Sequence, residues 1–318
     1  MKTAKAYETI CIDAMSGVGK TTQTEELVTV VRDKLGPDKI VRLVSANADG
    51  WGVIQPVVDL GYVVPMWIPA WPYTIQAIDR VTKGWWPENP NDPTSKFLPP
   101  TQQKDWDTVG GIVFDSGTDF CDIIMRYMLT REAQPKSTFR AAAEGASHVY
   151  KDGAPAEGNT PSDETGYAAA GRGHYGSDQN RIEQFINQSR DIPDRFVMWT
   201  FLVDKGKDPV TKASVYAPDT VGTAINGKVP SWFGRTIHMT VDPSTKKRRM
   251  WLHNHYDAGD PVPYLANVRD HWLAPLPDFL EGENARLTVL YKLLAESYNK
   301  AKAKTQAPSG AQQSTLTK

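Results

Sequence analysis

Residues 7–35, YETICIDAMSGVGKTTQTEELVTVVRDKL, restrict the possible folds of this chain more than any other stretch. Tyr7–Ala14 alternates and then turns apolar, as a buried strand does. Lys20–Leu35 carries Leu27, Val30, Val31 and Leu35 at helical spacing, and Gly36-Pro37 stops it. Between strand and helix lies a glycine-rich turn with Gly17, Gly19, Lys20 and Thr21 in phosphate-loop order. Ala14 stands where the pattern has its first glycine, a change the backbone accepts if φ there is not positive. Backbone N–H groups of such a turn wrap a β-phosphate, and the helix N-terminus behind them adds positive potential. Lys20 is then placed for the β- and γ-phosphates and the Thr21 hydroxyl for Mg²⁺. The bland alternative is a turn that caps an ordinary helix, with Lys20 solvated. The strand before and the amphipathic helix after favour nucleotide binding by Ser16, Gly17, Val18, Gly19, Lys20, Thr21 and Thr22.

A phosphate loop with Mg²⁺ needs a carboxylate at the end of a neighbouring buried strand. GGIVFDSG provides one, because Ile112, Val113 and Phe114 run directly into Asp115. An aspartate that merely caps the next helix is the common alternative. A second acid, to activate an attacking water, is offered by Asp49 in LVSANADGWG, although Asp49-Gly50 reads equally well as a plain turn. Two strands, at Lys39–Ala46 and Gly61–Ile68, fall between the loop strand and the Asp115 strand. That spacing suits a RecA-like strand order rather than a simple nucleotide kinase.

The rest of the chain reads as α/β. GGIVFDSGTDFCDIIMRYML predicts strand, turn and helix, QNRIEQFINQSR a helix, and DRFVMWTFLVD another buried strand. TIHMTVDPSTKKRRMWLHNH predicts a β-hairpin turning at Asp242-Pro243-Ser244, followed by a helix from about Glu281 to Lys302. Strands alternating with helices imply a mostly parallel central sheet flanked by helices. The expected organisation is a core over 1–275 with an irregular insert at 132–176, a C-terminal helix at 276–304, and a disordered tail at 305–318. Among 318 residues 23% are charged and the formal net charge is −1, so any nucleic-acid contact must come from local patches. Cys11 and Cys121 sit in apolar runs and read as reduced core thiols. No apolar stretch approaches the ~20 residues of a membrane span, and MKTAKAYETI lacks the apolar centre of a signal peptide, so a cytoplasmic protein with no membrane partner is expected.

In order along the chain, IDAMSGVGKTT, VSANADG…DLG, GIVFDSGTDF, GHYGSDQNRIEQFI and RFVMWTFLVD resemble the small RecA-like ATPases encoded by tailed phages, a group associated with single-strand annealing and recombination. The resemblance spans roughly residues 7–270, and its specific motifs are the phosphate loop and the Asp115 strand. It implies ATP and Mg²⁺ as cofactors and single-stranded DNA as partner. It also implies a homo-oligomeric ring or filament, in the host cytoplasm if the protein is phage-encoded. Lys20 and Thr21 would bind phosphate and Mg²⁺, Asp115 the metal's water shell, and Asp49 would act as general base. Arg269 in YLANVRD would reach the γ-phosphate of a neighbouring subunit. The sequence departs from the family at Asn267, where Lys is usual, at Asp49, where Glu is usual, and after Thr200, where Phe201 and Leu202 follow instead of a polar sensor. Binding is therefore a firmer expectation than turnover.

Two basic loops are candidates for DNA, Arg131–Arg181 and Lys205–Lys228, with the TKKRRM run at the hairpin tip as a third; each reads alternatively as a solvated surface. Five tryptophans between Trp67 and Trp106 suit a local mini-core better than a stacking platform, and His253 and His255 lack the further ligands of a metal site. Two other functions stay open. A thymidylate-like kinase shares GKTTQ and AIDR (Ala77–Arg80), but would want Asp-Arg where Asp115-Ser116 stands. A non-hydrolysing interaction protein would keep nucleotide only as a structural ligand.

Overall fold

Successive side chains of a strand face opposite ways, so strands that are apolar at every position must be covered on both faces. The computed structural model describes residues 8–47, 50–70, 73–132, 172–220, 223–257, 259–268 and 276–306. Its strands are β1 (Glu8–Ala14), β2 (Ile40–Ser45), β3 (Val63–Trp67), β4 (Trp86–Pro87), β5 (Phe97–Leu98), β6 (Val109–Asp115) and β7 (Phe196–Phe201). They continue as β8 (Val203–Lys207), β9 (Ser214–Pro218), β10 (Arg235–Val241), β11 (Arg248–Trp251), β12 (His253–Tyr256), β13 (Pro263–Val268) and β14 (Phe279–Glu281). The helices are α1 (Thr22–Leu35), α2 (Gln55–Asp59), α3 (Thr74–Val81), α4 (Gly117–Glu132), α5 (Arg172–Arg190), α6 (Thr223–Asn226) and α7 (Leu287–Gln306).

The main sheet runs β3-β2-β6-β7-β1-β10-β13-β9-β8, and its first six strands are mutually parallel. In space β7 lies between the loop strand β1 and the Asp115 strand β6. This is the RecA-like order that the spacing along the chain suggested. Alternation sorts the core into two layers. Ile10 and Ile12 of β1, Val113 of β6 and Phe196 and Met198 of β7 pack with Leu27 and Val31 of α1 and Leu287, Leu290 and Leu294 of α7. Cys11, Phe114, Val197, Trp199 and Phe201 face the other way, onto α3, α4 and α5. Trp199 stacks on Phe114 with ring centroids 4.3 Å apart. Cys11 and Cys121 are both buried in the core, as expected, and neither is in a disulfide.

Several boundaries differ from the expectation, each for a tertiary reason. DRFVMWTFLVD is two strands, because the chain turns at Leu202 and β8 leaves to pair with β9. The last helix begins at Leu287 rather than Glu281, because Phe279–Glu281 pairs with β11. The expected insert ends early, since α5 already includes Arg172–Gly176, while residues 133–171 lie outside the described residues, as do 307–318 of the expected tail. The tryptophan-rich stretch forms a mini-core that takes in a buried cation. Arg42, buried on β2, bonds Gln103 and Asp105 and lies 4.8 Å from the Trp86 ring centroid.

Candidate nucleotide site

Ligands of open α/β sheets sit beyond the carboxyl ends of the strands, and the sequence-predicted loop emerges there from β1. Gly17 has φ +77° and Gly19 φ +105°, the region glycine enters without penalty, whereas Ala14 keeps a negative φ and needs no glycine. The Thr21 hydroxyl stands at the start of α1 but does not cap it. Among the described residues, no backbone N–H from Gly17 to Thr21 donates to another protein group. These donors and the α1 N-terminus together make an anion cradle. Lys20 folds back over it, its Nζ donating to Ala14 O at 3.0 Å and Met15 O at 3.1 Å. Burial lowers the Lys20 pKa, opposed by Asp115, Asp13 and Asp119.

Across the cradle, Thr21 Oγ1 donates to Asp115 Oδ2 at 2.7 Å. The hydroxyl of Thr200, on the intervening strand β7, donates to Asp115 Oδ1. Both carboxylate oxygens are thus oriented. Burial still raises the Asp115 pKa, with the two hydroxyl bonds and Lys20 opposing it. A hydroxyl and an oriented carboxylate in contact form a hard-oxygen pair of the kind Mg²⁺ takes alongside its own waters and substrate phosphates. The residues therefore fit that ion. The Asp115–Ser116 peptide is cis, and Ser116 Oγ donates to Asp119 at 2.6 Å. Any side chain at Gly117 would collide with the Phe201 ring, 2.1 Å from the Cβ position, so glycine is what lets α4 start this close to β7.

Beneath Lys20, β1 and β10 place Asp13 beside His238, with Oδ1 and Nδ1 2.7 Å apart in the buried sheet. Burial raises the Asp13 pKa, and the His238 contact lowers it in part. His238 in turn stacks with Tyr264 at 4.5 Å and His255 at 5.2 Å, and His255 lies flat on Trp251 at 3.8 Å.

The structure thus brings together Lys20, Thr21 and Asp115 around the loop Ser16–Thr22. Asp49 and Arg269 lie outside the described residues. Thr200, Asp13 and Arg248 stand at or beside the site, although neither the loop pattern nor the Asp115 strand marks them. Thr200 and Asp13 carry a signal nonetheless, since each is a small polar residue inside an otherwise apolar strand. Arg248 carries none, being one of four consecutive cations. Of the candidate DNA loops, most of Arg131–Arg181 lies outside the described residues, and Lys205–Lys228 contains the ordered β8–β9 hairpin. No helix among the described residues is long and apolar enough to cross a membrane.

No family model and no curated protein matches this chain. Among solved structures it is similar to the RadB recombinase, with a TM-score of 0.36 and 11% identity over 82% of this chain and 86% of that one. It is also similar to a KaiC-like protein from Pyrococcus horikoshii OT3, with a TM-score of 0.33 and 8% identity over 77% of each chain.

Proposed function

We propose that this chain is an ATP-binding, ATP-hydrolysing recombination protein that acts on single-stranded DNA, of the phage-encoded RecA-like type its motifs resemble. The observation that carries the nucleotide part is the contact of Thr21 with Asp115, 2.7 Å, beside unpaired loop N–H groups and under Lys20. The N–H groups of Gly17–Thr21 receive the β-phosphate. Lys20 exchanges its two carbonyl partners for the β- and γ-oxygens, gaining charge-assisted bonds in place of neutral ones. Thr21 would ligate Mg²⁺ and Asp115 would hold its water shell, and the ion, when bound, would offset negative charge on the phosphates. Thr200 positions the Asp115 carboxylate. Asp49 takes the proton from the attacking water, and Arg269 serves a neighbouring subunit. The DNA part rests on the family resemblance and on lysines such as Lys205 and Lys207 along β8.

Mg²⁺-dependent ATP hydrolysis, measured with and without single-stranded DNA, tests the reading. Lys20→Ala is expected to abolish ATP binding and all turnover. Stimulation by DNA supports the recombination assignment. Turnover indifferent to DNA but raised by a nucleoside or nucleoside monophosphate would replace it with a kinase. ATP binding with no turnover at all would leave a nucleotide-stabilised interaction protein.

A further inference from the structure

The basic run Lys246-Lys247-Arg248-Arg249 divides its labour. Adjacent strand residues face opposite sides, and Arg249 faces acids: its guanidinium meets Asp242 at 2.7 Å and Glu281 at 2.9 Å. Lys247 lies 3.9 Å from Glu281. The Arg248 side chain has neither an ion pair nor a hydrogen bond to any described residue. Its guanidinium rests instead on the phosphate loop. A Cβ built on Gly19 would lie 2.9 Å from Arg248 Cζ, 3.1 Å from its Nη1, and 2.9 Å from Thr22 Oγ1. The missing side chain at Gly19 is what admits the guanidinium.

An unpaired arginine on an exposed hairpin would normally extend into water, where its charge is best solvated. Here it lies over backbone, at the junction of Gly19 and Thr22, where a phosphate loop meets the α- and β-phosphates. The guanidinium also borders a cavity of about 740 Å³ reached by Thr22, Gln23 and Arg286. That cavity is within the size range of a small-ligand site and leaves room for the rest of a nucleotide. Four carboxylates line the same cavity. Glu281 is held by Arg249, and Glu26 lies 3.6 Å from Arg286. Glu25 and Glu283 form no ion pair with a described residue, and no hydrogen bond joins either to Arg248.

We infer that Arg248 is a phosphate ligand in cis, clamping the α/β-phosphate side of a bound nucleotide from outside the loop while Lys20 holds the γ side. The inference rests on the proposed nucleotide reading of the loop. A guanidinium fork suits two phosphate oxygens at once, which an ammonium does not. Because the contact is to phosphates shared by ATP and ADP, it governs affinity for both, whereas turnover per bound ATP is set elsewhere.

The test is the dissociation constant of ATP and of ADP, each with Mg²⁺, measured calorimetrically on the full chain. Arg248→Ala is expected to weaken both by about tenfold, the scale of one charge-assisted hydrogen bond, with the melting temperature unchanged because no protein partner is lost. Arg248→Lys should recover part of the loss and Lys247→Ala should stay within about twofold of wild type. Arg248→Gln, which keeps most of the length and the polarity, should show the same loss of affinity and replaces the alanine variant if that one proves unstable. ATP and ADP binding within about twofold of wild type in the Arg248 variants, with Lys20→Ala still abolishing it, overturns this inference alone. A wild-type chain that binds neither nucleotide overturns the reading of the loop as well.

Discussion

Thr200 contributes the one hydroxyl in the apolar run Phe196–Phe201, and it is spent on Asp115 rather than on the backbone. A buried carboxylate without donors is costly, and the pair of hydroxyls from Thr21 and Thr200 offsets part of that cost while fixing the carboxylate's orientation. Residues that orient a metal-binding carboxylate commonly change metal affinity by 10–100-fold when removed. Thr200→Val keeps the shape of the side chain and deletes the donor. The Mg²⁺ concentration for half-maximal ATP hydrolysis is expected to rise about tenfold or more, and Thr200→Ser is expected to restore it. A Mg²⁺ dependence identical to wild type in the valine variant would reduce Thr200 to a packing role.

At the scale of elements, the β10–β11 hairpin is a bracket between the sheet and the phosphate loop. Its turn is closed by Asp242, which accepts from the N–H of Ser244 at 2.9 Å and of Thr245 at 2.7 Å, and its second strand is clamped to β14 through Arg249. Arg249→Ala removes both of that guanidinium's ion pairs. We expect a melting temperature about 2–6 °C lower and, because Arg248 rides on the same strand, several-fold weaker ATP binding. A lower melting temperature with unchanged ATP affinity would show that the hairpin and the loop are independent. This element also marks how far the sequence can be read. The hairpin and its turn are legible from alternation and from Asp242-Pro243-Ser244. So are the loop strand, its helix and the Asp115 strand, because each carries its own periodicity or spacing. The role of TKKRRM is not, since a charged tip looks the same whether it faces water or another loop. The pairing of Phe279–Glu281 with β11 depends on a long-range edge, and no local pattern announces it. Arg42 is illegible for a related reason, because its burial is made tolerable by Gln103, Asp105 and two tryptophans more than forty residues away.

For the whole molecule, the direction of the strands decides which residues can share one site. β1 and β10 run parallel, with Ile10 opposite Arg235 and Ala14 opposite Met239, so the loop leaves at the Met239 end. β13 runs antiparallel to β10, and its last residue, Val268, pairs with Arg235. The described part of β13 therefore ends at the end of the sheet away from the loop. Four residues of strand separate the two ends, about 13 Å. Arg269 itself lies outside the described residues, and its service to a neighbouring subunit remains part of the proposal. Assembly through continuous sheet at β3 is disfavoured, because Pro65 occupies that edge strand and cannot donate to a new neighbour. A ring or filament of the proposed kind, in which Arg269 serves a neighbour, would be joined across the nucleotide site. Subunit mixing tests this. Lys20→Ala keeps Arg269 and loses the loop, while Arg269→Ala keeps the loop and loses the arginine. Each alone is expected to be nearly inactive in ATP hydrolysis with single-stranded DNA. Mixed, they form interfaces in which an intact loop meets an intact Arg269, and hydrolysis should rise well above either variant. Full activity of Arg269→Ala alone, or a mixture no better than its parts, would remove the shared site.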